Sequence, residues 1–316
     1  MPEREIALFL CREPAEVALR AIDALRAACA HAGGQSTIHL LINGNPALGA
    51  ALAAVVDSSS LPLPGDGVQV RAWSLPLADK AAAWNGYVHE VSGEARYQHF
   101  VDGYALLHTD ALAGLEAALA GDDSAWAAAG VPTAGRSAPG LRAAMLQHGG
   151  LHGNFHALRG AVLGRLRDAG IRLPLGLYRV DGVVGALLCF ALDPARHPWQ
   201  SGRIHVVDGA SWDVAHAGPR WHPRELAVMW RRRLRQAQGR LENAAIHQFL
   251  AVEQRPPAQL PGTVEQLVGD WAQAQPAACS RVLARDPLCR FALARLRAQP
   301  SRPPSGAAPR PLQPRT

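Results

Sequence analysis

FVDGYALLHTDAL, Phe100 to Leu112, changes character twice. With the three residues before it, its Phe100-Val101 start reads as a strand over Tyr97 to Val101. Asp102-Gly103 is a turn signal that stops the run, and Thr109 is set to cap a helix from Asp110 to Ala120. The same unit recurs upstream. Glu5 to Cys11 is a short apolar run, and Pro14 opens a helical stretch whose stripe of Val17, Leu19, Ile22, Leu25, Ala28 and Cys29 ends near Gly33-Gly34. Thr37 to Ile42 reads as a strand stopped by Asn43-Gly44-Asn45-Pro46. Val68 to Trp73 reads as another, leading through Pro76 into a helix around Asp79 to Val91. Strands alternating with helices predict a three-layer α/β/α architecture on a mainly parallel mixed sheet, with ligands beyond the carboxyl ends of the strands. Those ends carry Cys11-Arg12-Glu13, Asn43-Gly44-Asn45 and Asp102-Gly103-Tyr104.

The second half is less regular. Gly149 to Leu158 reads as a strand, Ala161 to Ala169 as a helix, and Pro174 to Asp181 as a loop entering a helix over Gly182 to Leu192. Ile204 to Val207 reads as a strand. Pro223 to about Ala251 reads as a long helix with Leu226, Trp230, Leu234, Ala237, Leu241 and Ala244 along one face. Further helices are expected over Val264 to Gln273 and Cys279 to Arg297. These readings divide the chain into an α/β domain over 1–252, a helical appendage over 253–298 and a disordered basic, Pro-rich tail over 299–316, where PSRPPSGAAPRPLQPRT has little apolar content to pack. No internal repeat is visible.

Of 316 residues, 48% are hydrophobic and 18% charged, which suits a folded protein with a sizeable core. No apolar run reaches the roughly 20 residues of a membrane-spanning helix. MPEREIALFL puts two glutamates where a secretory signal wants positive charge. The 5 cysteines are odd in number and contain no CxxC, against a disulfide framework or zinc knuckle, so a reducing cytoplasm is expected. The net charge is +6, yet Lys80 is the sole lysine among 32 basic residues, a bias expected of a GC-rich genome that singles Lys80 out. Positive charge alone does not make a nucleic-acid reader, because the interleaved aromatic platform is missing.

In order and spacing, IALFLCRE (Ile6 to Glu13), HLLINGN (His39 to Asn45), DKAAAWNGY (Asp79 to Tyr87), FVDGYALLHTDAL, GNFHALRGAVL (Gly153 to Leu163) and LYRVDGVVG (Leu177 to Gly185) resemble the inverting family 2 glycosyltransferases. That family has the nucleotide-sugar-binding GT-A fold, and the resemblance spans roughly residues 5 to 245. It implies transfer of a sugar from a nucleoside diphosphate sugar to a hydroxyl of a glycan or lipid-linked acceptor. FVDGY matches the DxD loop, whose aspartates approach a divalent metal, Mn²⁺ or Mg²⁺, and the diphosphate. Asp102 holds the first position and Tyr104 stands at the second. Read without the family, Asp102-Gly103 is simply a turn after a strand. Lys80 and Asn85 lie in a segment similar to GKAxAxN near the donor, where an ammonium can meet phosphate; the alternative is an ordinary lysine at a helix start. Asn43 takes the place of a base- or ribose-binding aspartate, and Arg12-Glu13 replaces Asn-Glu, all three at the donor side.

In LYRVDGVVG, Asp181 matches the aspartate of the ED motif, with Val180 in place of the preceding acid. The resemblance implies that Asp181 is the general base toward the acceptor hydroxyl, and the competing reading makes it the cap of the helix from Gly182. Arg235 and Gln236, in WRRRLRQAQGRLE, resemble the helix bordering acceptor or diphosphate, and equally suit a solvated basic face. That face, with Arg302, Arg310 and Arg315, also suits peripheral contact with anionic lipid at the inner membrane. Histidines 148, 152 and 156 are spaced too far apart on a strand for one ion, so a lone site or core histidine is expected, and His216 or His222 is the candidate metal partner of Asp102. The rival to a working transferase is a catalytically altered nucleotide-sugar-binding or partner protein, suggested by DGY and VD in place of the acidic pairs.

Overall fold

Every residue of β1 (Arg4–Leu10) is buried, and its two faces meet different helices. Ile6, Leu8 and Leu10 pack with Ile22 and Leu25 of α1 (Ala15–Ala32) and with Leu112 and Leu115 of α4 (Ala111–Gly121). Ala7 and Phe9 point the other way, toward Trp84 of α3 (Lys80–Gly86) and Leu187 of α7 (Val180–Cys189). The twofold alternation of a strand thereby produces helix layers on both faces of one sheet. A computed structural model provides this description, for residues 2–57, 67–135, 137–215, 223–299 and 308–312.

The other strands are β2 (Ser36–Asn43), β3 (Val68–Leu75), β4 (Tyr97–Asp102), β5 (Ala105–Leu107), β6 (Ala127–Pro132), β7 (Phe155–Arg159), β8 (Ile204–Val214) and β9 (Arg310–Pro311). Their order across the sheet is β5-β8-β6-β7-β4-β1-β2-β3-β9. The longest ladders are parallel: β1 with β2 and β4, β2 with β3, and β6 with β8. β7 runs antiparallel to both β4 and β6, β5 to β8, and β9 to β3. From β1 the chain builds β2 and β3 to one side and then crosses back to lay β4 on the other. A crevice therefore opens beyond the carboxyl ends of β1 and β4, where ligands of such sheets bind.

Several boundaries differ from the sequence reading, each for a physical reason. Gly149 and Gly150 have φ of 72° and 103°, so the stretch from Gly149 opens as a loop and β7 starts only at Phe155. α7 starts at Val180, which puts Asp181 in its first turn instead of at a cap. Thr109 caps nothing; α4 follows Asp110, whose side chain makes no cap bond. The last helical stretch is split at Asp286-Pro287 into α10 (Pro276–Arg285) and α11 (Leu288–Ala298), because proline interrupts helical bonding. β6 and the helices α2 (Pro46–Asp57) and α5 (Ala138–His148) were not anticipated, their alanine-rich segments carrying little periodic signal. The remaining helices are α6 (Gly160–Asp168), α8 (Pro223–His247) and α9 (Val264–Ala274). Leu241 of α8, Trp271 of α9 and Leu296 of α11 belong to the same apolar cluster as Phe9 and Trp84.

The expectation of an unpacked stretch after residue 299 is corrected for 308–312. Trp73 pairs with Pro311 and Ser74 with Arg310, while the Leu312 amide donates to the Ala72 carbonyl at 3.0 Å. Side-chain composition missed this because strand addition uses backbone groups.

Candidate functional site

Asp79 makes the local frame. It is the N-cap of α3, its Oδ1 accepting from the amides of Ala81 (2.8 Å) and Ala82 (3.1 Å). Its Oδ2 accepts from the Gly176 amide at 2.6 Å, tying the segment that enters α7 to the start of α3. Lys80 is thus held at the first turn of α3, with its ammonium 5.3 Å from the centroid of the Phe9 ring. The ammonium ion-pairs with Asp102 Oδ1 at the end of β4 and donates to the Gly153 carbonyl at 3.0 Å. Tyr104 Oη lies 3.1 Å from Asp102 Oδ2 and 3.1 Å from the Asn154 side-chain amide. Burial and the neighbouring carboxylate push this phenol far above its usual range, so it stays protonated and donates to Asp102.

Asp181 reaches the same point from the other side. A Cβ added at Gly153 would stand 3.2 Å from Lys80 Nζ and 3.5 Å from Asp181 Oδ1, so the absent side chain lets both groups flank this loop. At Gly103 an added Cβ would meet Leu10 Cδ2 at 2.4 Å and the Phe9 carbonyl at 2.8 Å, so glycine also permits the β4 end to close on β1. Next to Gly153, His152 stacks on Trp212 with ring centroids 5.1 Å apart, and its Nδ1 accepts from the Asn154 amide at 3.2 Å. That bond leaves the proton on Nε2 in the neutral ring. Burial lowers the His152 pKa, opposed by the carboxylates of Asp181 and Asp102 and reinforced by Lys80.

The expected residues do not all gather here. Asp102, Tyr104, Lys80 and Asp181 do. Glu13 turns back on the β1 end, its Oε2 accepting from the amides of Cys11 (2.6 Å) and Arg12 (3.0 Å), with its carboxyl carbon 3.4 Å from where a Gly103 Cβ would stand. Arg12 is exposed at the same rim. Asn43 is 2% exposed, and its Oδ1 has no hydrogen-bond partner among the described residues. Asn85 is occupied elsewhere: it donates to the Leu173 carbonyl (2.9 Å) and accepts from the Leu173 amide (2.8 Å), pinning the loop before α7. Arg235 is exposed, its guanidinium 5.8 Å from the Tyr178 ring centroid. Gln236 lines a different groove, between α8 and α10–α11. His216 and His222 lie outside the described residues.

No protein-family model matches the chain, and no curated protein matches it in sequence. Solved structures do match its backbone. The mannosyltransferase PcManGT from Pyrobaculum calidifontis, solved with GDP-Man and Mn²⁺, superposes with a TM-score of 0.54 at 18% identity, covering 96% of this chain and 77% of that one. The chain has the GT-A fold. S. aureus TarS 1-349 with UDP-GlcNAc gives 0.47 at 12% identity over 93% of this chain and 91% of that one. Glucosyl-3-phosphoglycerate synthase from Mycobacterium tuberculosis with phosphoglyceric acid gives 0.43 at 16% over 75% and 78%. Both superpose too loosely to add to the assignment.

Within this GT-A fold the Asp102 environment does not form a hard-cation site by itself. Ca²⁺-, Mg²⁺- or Mn²⁺-type ions need several oxygen ligands, whereas Lys80 and Tyr104 engage the two Asp102 oxygens. Among the described residues no group of three or more His, Cys, Asp or Glu is arranged to hold a metal. His148, His152 and His156 have separate surroundings: His148 is exposed, while His156 is buried, stacked on Phe100 at 5.1 Å and hydrogen-bonded through Nδ1 to the His152 carbonyl at 2.9 Å.

Sequence reasoning passed over Glu242. It is fully buried in α8 and accepts from the Tyr178 amide (2.9 and 3.1 Å), the Arg179 amide (3.1 Å) and Gln238 Nε2 (2.8 Å). A carboxylate therefore satisfies free amides at the start of α7, next to Asp181. The available signal was an acid at the Leu234-Gln238-Glu242 spacing, inside a stripe that packs.

Burial also makes the site's scaffold sensitive to acid. The His156 imidazole is held down at about 3, so between its unfolded value near 6.5 and that point only the unfolded chain takes the proton. Stability should consequently fall as pH drops below about 6.5, by about 1.4 kcal/mol per pH unit for this one group. His89 and His152 are lowered in the same sense. Glu116 acts in a lower window: burial raises it, but Arg4 and His99 hold it at about 2, so its contribution is lost only below about 4.5. Chemical denaturation of His156→Phe between pH 4.5 and 6.5 should show a shallower slope than the parent; equal slopes would remove His156 from the linkage.

Proposed function

We propose that the chain transfers a sugar from a nucleoside diphosphate sugar to an acceptor hydroxyl, with inversion, in glycan or polysaccharide synthesis. The observation that carries this reading is the convergence of Asp181, Lys80 and Asp102 on the Gly153 loop, beyond the carboxyl ends of β1 and β4. An inverting displacement needs a single base. Asp181 takes the acceptor hydroxyl proton as the oxygen forms its bond to the anomeric carbon, while the bond from that carbon to the diphosphate oxygen breaks. The nucleoside diphosphate leaves with the electron pair, and the Lys80 ammonium offsets its growing charge. Asn43, whose buried oxygen has no partner among the described residues, Glu13 and Arg12 line the donor side, and Arg235 borders the acceptor or diphosphate side.

A second reading has one observation in its favour. Tyr104 stands where a second carboxylate would assist a metal, and it is bonded to Asp102, as suits a protein that binds a nucleotide sugar without turning it over. The test is thermal shift against a panel of nucleoside diphosphate sugars, followed by hydrolysis and transfer assays on whichever donor stabilises the chain. A ligand at a hundredfold excess over Kd should add about 2.7 kcal/mol. Stabilisation with turnover supports the transferase, and stabilisation without turnover supports the binding protein. No shift with any donor overturns both.

A further inference from the structure

The chain's positive charge is segregated. Residues 223–299 contain 12 arginines against 6 acids, whereas residues 1–222 contain 17 basic residues against 20 acids. The helices α8, α10 and α11 hold most of that excess, and between them lies an open groove of about 700 Å³ lined by Arg233, Gln236, Arg240 and Asn243 on one wall and Arg285 and Leu288 on the other. Arg240 is neutralised by Asp286 at 2.5 Å, and Asp286 also accepts from the Leu288 amide at 3.0 Å. Arg233 and Arg285 have no ion-pair partner among the described residues, so the groove keeps two uncompensated guanidinium groups.

Its ends are apolar and exposed. Met229, Arg233, Gln236, Arg240 and Asn243 follow one another at spacings of three and four, so they lie on one face of α8. Met229 is 53% exposed at the head of that stripe and Trp230 beside it 48%, while Phe291, one turn beyond Leu288 on the opposite wall, is 60% exposed. A soluble phosphate compound would use the arginines and have no need of these apolar groups. A lipid surface uses both, since headgroup phosphates attract guanidinium and the interfacial zone receives Trp and Phe. Among the described residues no helix is long and apolar enough to cross a membrane, so such contact would lie on the surface.

We propose that the groove between α8 and α10–α11, with Met229, Trp230 and Phe291 at its rim, docks the chain onto an anionic phospholipid surface. This inference stands apart from sugar transfer. The test is co-sedimentation of the full chain with vesicles of phosphatidylcholine alone or with added phosphatidylglycerol. The parent should sediment with the anionic vesicles only, and added salt should release it. The double variant Arg233→Gln/Arg285→Gln should partition about 25-fold less, from about fivefold per arginine, and Trp230→Ser should weaken binding with both arginines present. Melting temperatures of the variants serve as a folding control. Unchanged partitioning of the double variant would overturn the proposal, moving the contact to other arginines. Release by inorganic phosphate at matched ionic strength would overturn it in favour of a soluble ligand, and tighter binding to an oligonucleotide than to vesicles would do so in favour of nucleic acid.

Discussion

Asp181→Asn should lower sugar transfer by roughly 100-fold or more while leaving donor affinity and melting temperature close to parental, the pattern of a lost general base. Asparagine keeps the size of the side chain and removes its ability to accept a proton. The structural cost is small because Asp181 lies in the first turn of α7 and is not its cap. Loss of its charge there forfeits about 0.3–1 kcal/mol of interaction with the helix dipole. Glu242 continues to hold the amides of Tyr178 and Arg179. Steady-state kinetics on a donor found by thermal shift, with donor binding measured separately, would check this; parental turnover in the variant would remove Asp181 from the chemistry.

Lys80→Ala should act on the donor instead. Its ammonium is the one lysine charge in the chain and sits between Asp102 and the Gly153 carbonyl. Removing it leaves the Asp102 carboxylate without its cation on the side proposed for the diphosphate, and a hydrogen bond to a charged group is worth about 1.5–3 kcal/mol. Donor Kd should rise by about 10- to 100-fold, read by calorimetry. Lys80→Arg should not restore it, because a planar guanidinium is bulkier and a Cβ at Gly153 would already stand 3.2 Å from Nζ. Parental affinity in Lys80→Ala, or full rescue by arginine, would contradict a diphosphate role.

Legibility in the sequence followed local chemistry. The strands β1, β2 and β4 end in polar turn residues, so their order and the position of Asp102 could be read from hydrophobic runs and punctuation. Lys80 and Asp181 stood out through the family resemblance of DKAAAWNGY and LYRVDGVVG, because local chemistry alone marks each only as a residue near a helix start. Asn85 lay within a matching segment, yet its amide is spent on the Leu173 backbone, 88 residues away, which no local pattern reports. Glu242 was hidden for the same reason, its acceptors being filled by amides of Tyr178 and Arg179. The strand AAAGVP carries no β-branched run before Val131, so burial between β7 and β8, not propensity, makes it a strand.

The pairing of β9 with β3 sets an order on biosynthesis. β1 through β4 precede β9 in the chain and can assemble their ladder before it, but the Trp73–Ser74 stretch of the outer edge of β3 has to wait for residues 310–311. Throughout translation of the intervening residues that edge offers unpaired backbone groups to any neighbouring nascent chain. A ribosome stalled before Arg310 therefore carries β1 to β8 with the Ala72–Ser74 edge of β3 still lacking its added strand.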